Sequence, residues 1–173
     1  KALHLLDGKW EACIVENFHE GDHGGIHFSA ANVRLDHVYE RGCPHDGYET
    51  CRNMVFKGIV LRCRTWVLVP SPVLANVRTE DSPCGVLTGN NIFDRSFCVT
   101  ANSKQDAACR LTPRFIDFLT MFDRDVEGQI LSFCWEGKIF SLVVETDFGI
   151  AAIASSVDLS DLDAARRSYI RSL

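Results

Sequence analysis

The sequence predicts one α+β domain, residues 1–173, in which a largely antiparallel β-sheet packs against two or three helices. Three observations predict this fold class. Apolar and β-branched runs bounded by polar, glycine-containing stretches dominate the first half of the chain, as expected for strands joined by turns. Helix-start signals and a second alternating apolar run follow in the second half. The sequence holds no βαβ alternation and no glycine-rich phosphate-binding loop, so a parallel α/β fold is disfavoured.

Strands are predicted where β-branched and aromatic residues cluster, and loops where glycine, proline and polar residues interrupt them. The predicted strands span residues 10–15, 26–35, 54–63, 66–69 and 96–100. The predicted loops span residues 16–25, 40–53 and 71–91. The N-terminal part of the sheet is therefore expected to consist of short strands separated by long loops.

Two helices in the second half begin at recognisable capping residues. Ser103, followed by Asp106 three residues later, predicts a short helix that ends near Cys109. Thr112 followed by Pro113 places a hydroxyl at the cap and a fixed φ at the first helical position of a second helix. The predicted core-facing residues of this second helix are Phe115, Ile116, Phe118, Leu119 and Phe122.

A C-terminal hairpin is predicted over residues 129–145. This segment alternates between apolar and polar residues around Glu136-Gly137, which is expected to form a two-residue turn. The turn would set Phe133 opposite Phe140 on the buried side of the hairpin. A slip by one residue would expose both aromatic rings to solvent, so the register is expected to be well fixed.

An amphipathic helix is predicted over residues 159–173. Ser160 can cap this helix, acidic residues occupy its first turn, and basic residues lie toward its end, which is the charge order that the helix dipole favours. The basic residues are Arg166, Arg167 and Arg171. Because the dipole explains this cluster, and the other basic residues are scattered along a chain of net charge −5, the sequence argues against nucleic-acid binding.

Cysteine positions and hydropathy indicate a cytoplasmic domain. No apolar run is long enough to span a membrane, and no signal peptide is visible. The chain begins at Lys1 and not at Met, so it is expected to be a fragment of a longer protein with upstream residues missing. Three of the eight cysteines lie inside apolar runs, where free thiols are typical, so the cysteines are expected to be reduced. These three are Cys63, Cys98 and Cys134.

Several short stretches of the chain carry a family resemblance, and they are Phe28-Ser29, Val55-Phe56-Lys57-Gly58, residues 93–99, residues 107–115 with Leu111-Thr112-Pro113 within them, and residues 130–144. Together these stretches resemble a bacterial family known as domain of unknown function 3137. Two departures from the family are an alanine, Ala30, where an acidic residue usually follows Phe-Ser, and the Cys/His-containing loop at 41–51. The resemblance implies a cytosolic domain that upstream hydrophobic helices tether to a membrane. It implies no activity, because the family has none assigned.

The clearest candidate metal ligands lie in the segment His19-Glu20-Gly21-Asp22-His23, which matches the H-E-x-x-H zinc pattern. That chemistry needs a helix, so that both histidines share one face and the glutamate acts as general base. Glycines in and after the segment oppose a helix, so a solvated loop is expected. His19, Asp22, His23 and His27 could still form a loose surface metal site, since imidazole is a common metal ligand.

A second group of candidate ligands is Cys43, His45 and Cys51, which share the loop predicted over residues 40–53. Soft ligands in one loop are typical of structural zinc, but the usual fourth ligand is missing. Cys43 and Cys51 are also the two cysteines best placed to form a disulfide. Cys51 near the histidines is the most plausible nucleophile–base pair, and nothing in the sequence fixes its geometry.

Taken together, the residues favour a non-enzymatic binding or regulatory domain, because a clear fold signature coexists with no coherent reactive set. Its partner is expected to be a protein or a small molecule; a membrane would be reached only through segments outside this chain, and no cofactor is predicted. One alternative is a metal-dependent hydrolase that uses the N-terminal histidines. Another is an assembly domain that pairs subunits through an apolar patch or an edge strand.

Overall fold

The computed structural model describes residues 10–43, 47–80, 82, 85–125 and 128–149, and these form a five-stranded antiparallel sheet with three helices. The elements are β1 (Ala12–His23), β2 (Ile26–Cys43), β3 (Gly47–Val77), α1 (Asn91–Ser96), β4 (Phe97–Ala101), α2 (Lys104–Arg110), α3 (Pro113–Asp125) and β5 (Gln129–Glu145). The strand order is β1-β2-β3-β4, and β5 pairs with the other edge of β3. The predicted α+β class is confirmed. The tail helix predicted over residues 159–173 lies outside the described residues.

The long N-terminal loops predicted from the sequence are wrong, because the strands run through them. β1 and β2 meet at a two-residue turn, Gly24-Gly25, whose φ angles of 59° and 78° suit the tight turn of a hairpin and favour glycine. Likewise, β2 continues to Cys43 and β3 begins at Gly47. The polar residues of these segments are mostly exposed. An extended strand can therefore hold them without burying their polar side chains.

β3 is the longest element, and it organises the sheet. Its first half pairs with β2, its last residues pair with β4, and β5 follows its opposite edge. The register against β5 breaks twice, between Arg64 and Val69 and between Val69 and Val73. Pro70 and Pro72 lie in this stretch and carry no N–H, so they cannot donate to a ladder. β3 nevertheless continues to Val77, so residues 71–77 of the predicted 71–91 loop are strand, and regular pairing with both β4 and β5 resumes at Val73.

The predicted C-terminal hairpin is also wrong, because residues 129–145 form the single strand β5. Its pairs with β3 run from Asn76–Ser132 to Gly58–Glu145. Glu136-Gly137 lies at the register break, where Gly137, with φ 59°, pairs with Val69 opposite the bulged part of β3 and makes no turn. β3 offers a partner to almost the whole segment, whereas a hairpin would have left that edge of β3 open.

The capping predictions for α2 and α3 are confirmed. Ser103 Oγ accepts from the Asp106 N–H of α2 at 3.0 Å, and Thr112 Oγ1 accepts from the Phe115 N–H of α3 at 3.3 Å. One predicted core residue of α3, Phe118, is exposed. The sequence analysis missed α1, whose cap is the Asn90 side chain. Within the described ranges, no helix is long and apolar enough to cross a membrane.

The sheet has apolar residues buried on both faces. The first core lies between β3–β5 and the helices, and its aromatic centre is Phe93, Phe97, Phe133 and Phe140. The second core lies on the opposite face, and its members are Ala31, Val33, Leu35, Phe56, Val60, Cys134 and Val143. Because side chains of a strand alternate between faces, the neighbours of Val33 and Leu35 in β2, which are Asn32 and Arg34, are turned away from this second core.

Candidate functional site

The H-E-x-x-H segment is part of strand β1, so it forms neither a helical metal platform nor the loop expected from the sequence. His19 pairs with Ala30 of β2, and His23 pairs with Ile26 beside the turn. Residues four apart in a strand are separated by about 13 Å along it. His19 and His23 are therefore not brought together, and the strand supplies none of the helical geometry that the zinc-protease pattern needs.

His27 is the histidine of this hairpin that the structure places against other candidate groups. Its Nε2 donates to Glu20 Oε1 at 2.9 Å, and its Nδ1 lies 3.5 Å from Asp22 Oδ1. Each ring nitrogen thus faces its own carboxylate, and all three side chains are exposed. Solvent screens such pairs, which typically contribute about 0 to 1 kcal/mol each. Among the described residues, no group of three or more His, Cys, Asp and Glu is arranged to hold a metal ion.

The second set of candidate ligands is spread along the β2–β3 hairpin. Cys43 pairs with Gly47 at the end of the ladder, and Cys51 pairs with Tyr39. The two cysteines are therefore separated by four ladder positions, about 13 Å, which is too far for a disulfide. Cys51 is a free thiol. His45, the third candidate, lies outside the described residues.

Two thiols of the sheet are poorly suited to nucleophilic chemistry. Burial raises the pKa of the Cys63 thiol. Burial, together with the charge of Glu136, raises the pKa of Cys134 to about 11. Both groups are therefore protonated at neutral pH, whereas the thiolate is the reactive form.

One cavity of the described chain is a groove that the sequence analysis did not predict. It has a volume of about 570 Å³, and it lies where β1, β2 and the middle of β3 meet the segment that follows β5. This groove is lined by Ile14, Glu16, Asn32, Val33, Arg34, Met54, Lys57, Gly58 and residues 146–149. We call it the sheet groove. Sequence reasoning missed it because its wall depends on β5 pairing with β3.

Backbone contacts to β3 fix the wall of the sheet groove. Thr146 donates its N–H to the Lys57 carbonyl at 3.1 Å, and Lys57 Nζ forms an ion pair with Asp147 Oδ1 at 3.2 Å. The chain then crosses toward β2, where a side chain on Gly149 would press on the Asn32 amide. Gly58 permits the close approach of β5, because a Cβ at this position would overlap the Val144 carbonyl oxygen.

Charged and apolar side chains alternate along the lining of the sheet groove. Arg34 Nε donates to Asp36 Oδ1 at 2.8 Å, and Asp36 is only 1% exposed. This hydrogen bond and the charge of Asp36 raise the pKa of Arg34, so the guanidinium stays charged. Ile14, Met54 and Phe148 present exposed apolar surface between the charges. The groove can therefore bind a ligand that combines apolar groups with charges.

The lining of the sheet groove lacks the commonest nucleophile and base residues. Among its described residues there is no Cys, Ser or His, and its polar groups include the Thr146 hydroxyl, the Lys57 amine and the carboxylates of Glu16 and Asp147. A second cavity of about 440 Å³ lies among α2, α3 and residues 86–90. Its loop is held by Asp94, whose carboxylate accepts from the N–H groups of Thr88 and Gly89. That cavity is lined mostly by apolar side chains and backbone.

Neither a protein-family model, nor a curated protein, nor a solved structure matches this chain. The chemistry of the sheet groove therefore has to be argued from its own residues.

Proposed function

We propose that this chain is a non-enzymatic binding domain and that the sheet groove is its binding site. One observation carries the proposal: the sheet groove, a cavity of about 570 Å³, combines apolar and charged side chains, and its described lining includes no Cys, Ser or His. Concave sites with a few placed polar groups are the usual form of ligand sites. The alternative is a metal-dependent hydrolase that uses the N-terminal histidines. No distance between candidate ligands among the described residues favours a metal site.

The ligand that fits this lining best is a short segment of a partner protein. Arg34 and Lys57 offer cationic groups, Glu16 and Asp147 offer anionic groups, and Met54 lies among them with apolar surface. A peptide can match both charges while it buries one or two apolar side chains. Methionine suits such surfaces because its flexible thioether adapts to different partners.

The proposed setting is the cytoplasm, where thiols stay reduced. Free thiols in the described chain include Cys13, Cys51, Cys63, Cys109 and Cys134. Membership of the domain of unknown function 3137 family stays a prediction that rests on the short motifs. The Leu-Thr-Pro part of those motifs begins α3, where Thr112 caps the helix. None of these three residues lines the sheet groove.

Peptide selection tests the proposed site directly. A random peptide library selected on the whole chain is expected to yield binders that Met54→Asp weakens about tenfold or more, because burying a methionine contributes about 1.5 to 3 kcal/mol. Met121→Asp is the matched control, since Met54 and Met121 are both 55% exposed and Met121 lies on α3, outside the groove. Equal loss in the two variants, or no enriched peptide, would contradict the proposal.

A further inference from the structure

A short apolar segment of β3 bulges at the first register break against β5. Arg64 pairs with Ile139 and Val69 pairs with Gly137, so four residues of β3 lie opposite one residue of β5, Lys138. The extra residues cannot all stay in the ladder. On the other edge of β3, the β2 ladder ends at Cys63 and the β4 ladder begins at Val73, so this stretch has no ladder partner there among the described strands.

Three consecutive large apolar residues of this segment are exposed. Trp66 is 76% exposed, Val67 is 53% exposed and Leu68 is 62% exposed. In a strand, successive side chains point to opposite faces, so exposure of all three means that the segment stands clear of both cores. The Trp66 ring lies beside Gly25 in the β1–β2 turn, and the neighbouring Ile26 is also exposed. We call Ile26, Trp66, Val67 and Leu68 the apolar tip.

Hydrogen bonds hold the apolar tip, and three cationic residues lie next to it along the chain or in contact with it. Thr65 Oγ1 donates to the Val67 carbonyl at 3.1 Å, and Arg110 Nη2 donates to the Leu68 carbonyl at 3.5 Å. Arg64 and Lys138 are exposed on the two strands that flank the bulge. The acidic residue of this part of β5 is Glu136. The carboxylates at the nearby turn, Glu20 and Asp22, face His27.

We propose that the apolar tip inserts into the headgroup region of an anionic phospholipid membrane. A protruding tip, exposed on both faces, suits a soft surface that closes around it, whereas a protein partner would need a matching pocket. Tryptophan favours the boundary between water and hydrocarbon. Arg64, Arg110 and Lys138 complement the negative charge of the headgroups. Trp66 of the tip is nine positions along β3 from Lys57 in the sheet groove, about 30 Å for extended backbone, so the two surfaces are separate.

Vesicle binding of the whole chain tests this proposal. Vesicles of phosphatidylcholine with phosphatidylserine are expected to sediment the protein, and vesicles of phosphatidylcholine alone are expected to leave it in solution. Leu68→Ser should weaken binding about tenfold. Leu87→Ser is the matched control, because Leu87 is similarly exposed and lies away from the tip. The double variant Arg64→Gln, Lys138→Gln should weaken binding about 25-fold, because each cation contributes about fivefold near an anionic surface.

Fluorescence gives an independent readout. Trp66 emission is expected to shift to the blue on vesicle binding, and Trp66→Phe should keep binding and lose most of the shift, since Trp10 and Trp135 are partly buried. Equal binding to neutral and anionic vesicles, no binding at all, or equal effects of the two leucine variants would overturn the proposal. A dimer that Leu68→Ser dissociates, without vesicle binding, would assign the tip to a second copy and would overturn it too. Met54→Asp should leave vesicle binding unchanged, which separates this test from that of the sheet groove.

Discussion

At the scale of single residues, the candidate ligands that the sequence suggests and the residues that build a site are different sets. The histidines attract attention because imidazole binds metals, yet strand geometry spaces His19 and His23 apart and gives His27 two carboxylate partners. Gly58 carries no chemistry at all. It nevertheless decides whether β5 can lie against β3, and so whether the sheet groove has a wall.

Gly58→Ala is expected to destabilise the protein by about 1 to 3 kcal/mol. The added methyl would overlap the Val144 carbonyl and lie 2.8 Å from the Phe56 ring, so β5 must shift, as in other overpacked cores. Urea unfolding followed by circular dichroism measures this loss. Gly42→Ala is the control, because a Cβ on Gly42 would have no neighbour within 4 Å. If the two variants unfold at the same urea concentration, the claim that β5 packs tightly against Gly58 is wrong.

At the scale of elements, local signals could be predicted and long-range pairing could not. The caps at Ser103 and Thr112 depend on hydrogen bonds three residues apart, so the sequence is enough to place α2 and α3. The path of β5 depends on an open edge of β3 that lies far away in sequence. Gly137 illustrates the limit, because a glycine with positive φ fits a two-residue turn and also fits a strand at an irregular register.

Cross-linking distinguishes the strand from the predicted hairpin. Cysteines at Arg62 and Ser141, which face each other across the β3–β5 ladder, are expected to form a disulfide under mild oxidation. Cysteines at Ser132 and Ser141 would face each other in a hairpin, but they are nine positions apart along β5, so no cross-link is expected between them. Mass spectrometry of peptides identifies the bridge. Efficient disulfide formation between positions 132 and 141, without a disulfide between positions 62 and 141, would support the predicted hairpin and contradict the single strand β5.

At the scale of the whole molecule, one long strand produces both proposed surfaces. β3 carries Lys57 and Gly58 at the sheet groove, and the register break farther along the same strand produces the apolar tip. The predicted fold class is right because burial patterns over many residues decide it. The sheet groove could not be predicted, since it needs Thr146 to reach the Lys57 carbonyl, a contact between residues that are remote in sequence.

The most direct test of the proposed binding function is to map where a bound peptide contacts the protein. Nuclear magnetic resonance of the whole chain, titrated with a library-selected peptide, reports on each backbone amide. We predict that the largest shifts fall on Asn32, Lys57 and residues 146–149, which line the sheet groove. Shifts confined to the His19–His27 hairpin or to the helices, with the groove amides unmoved, would contradict the assignment of the sheet groove as the binding site.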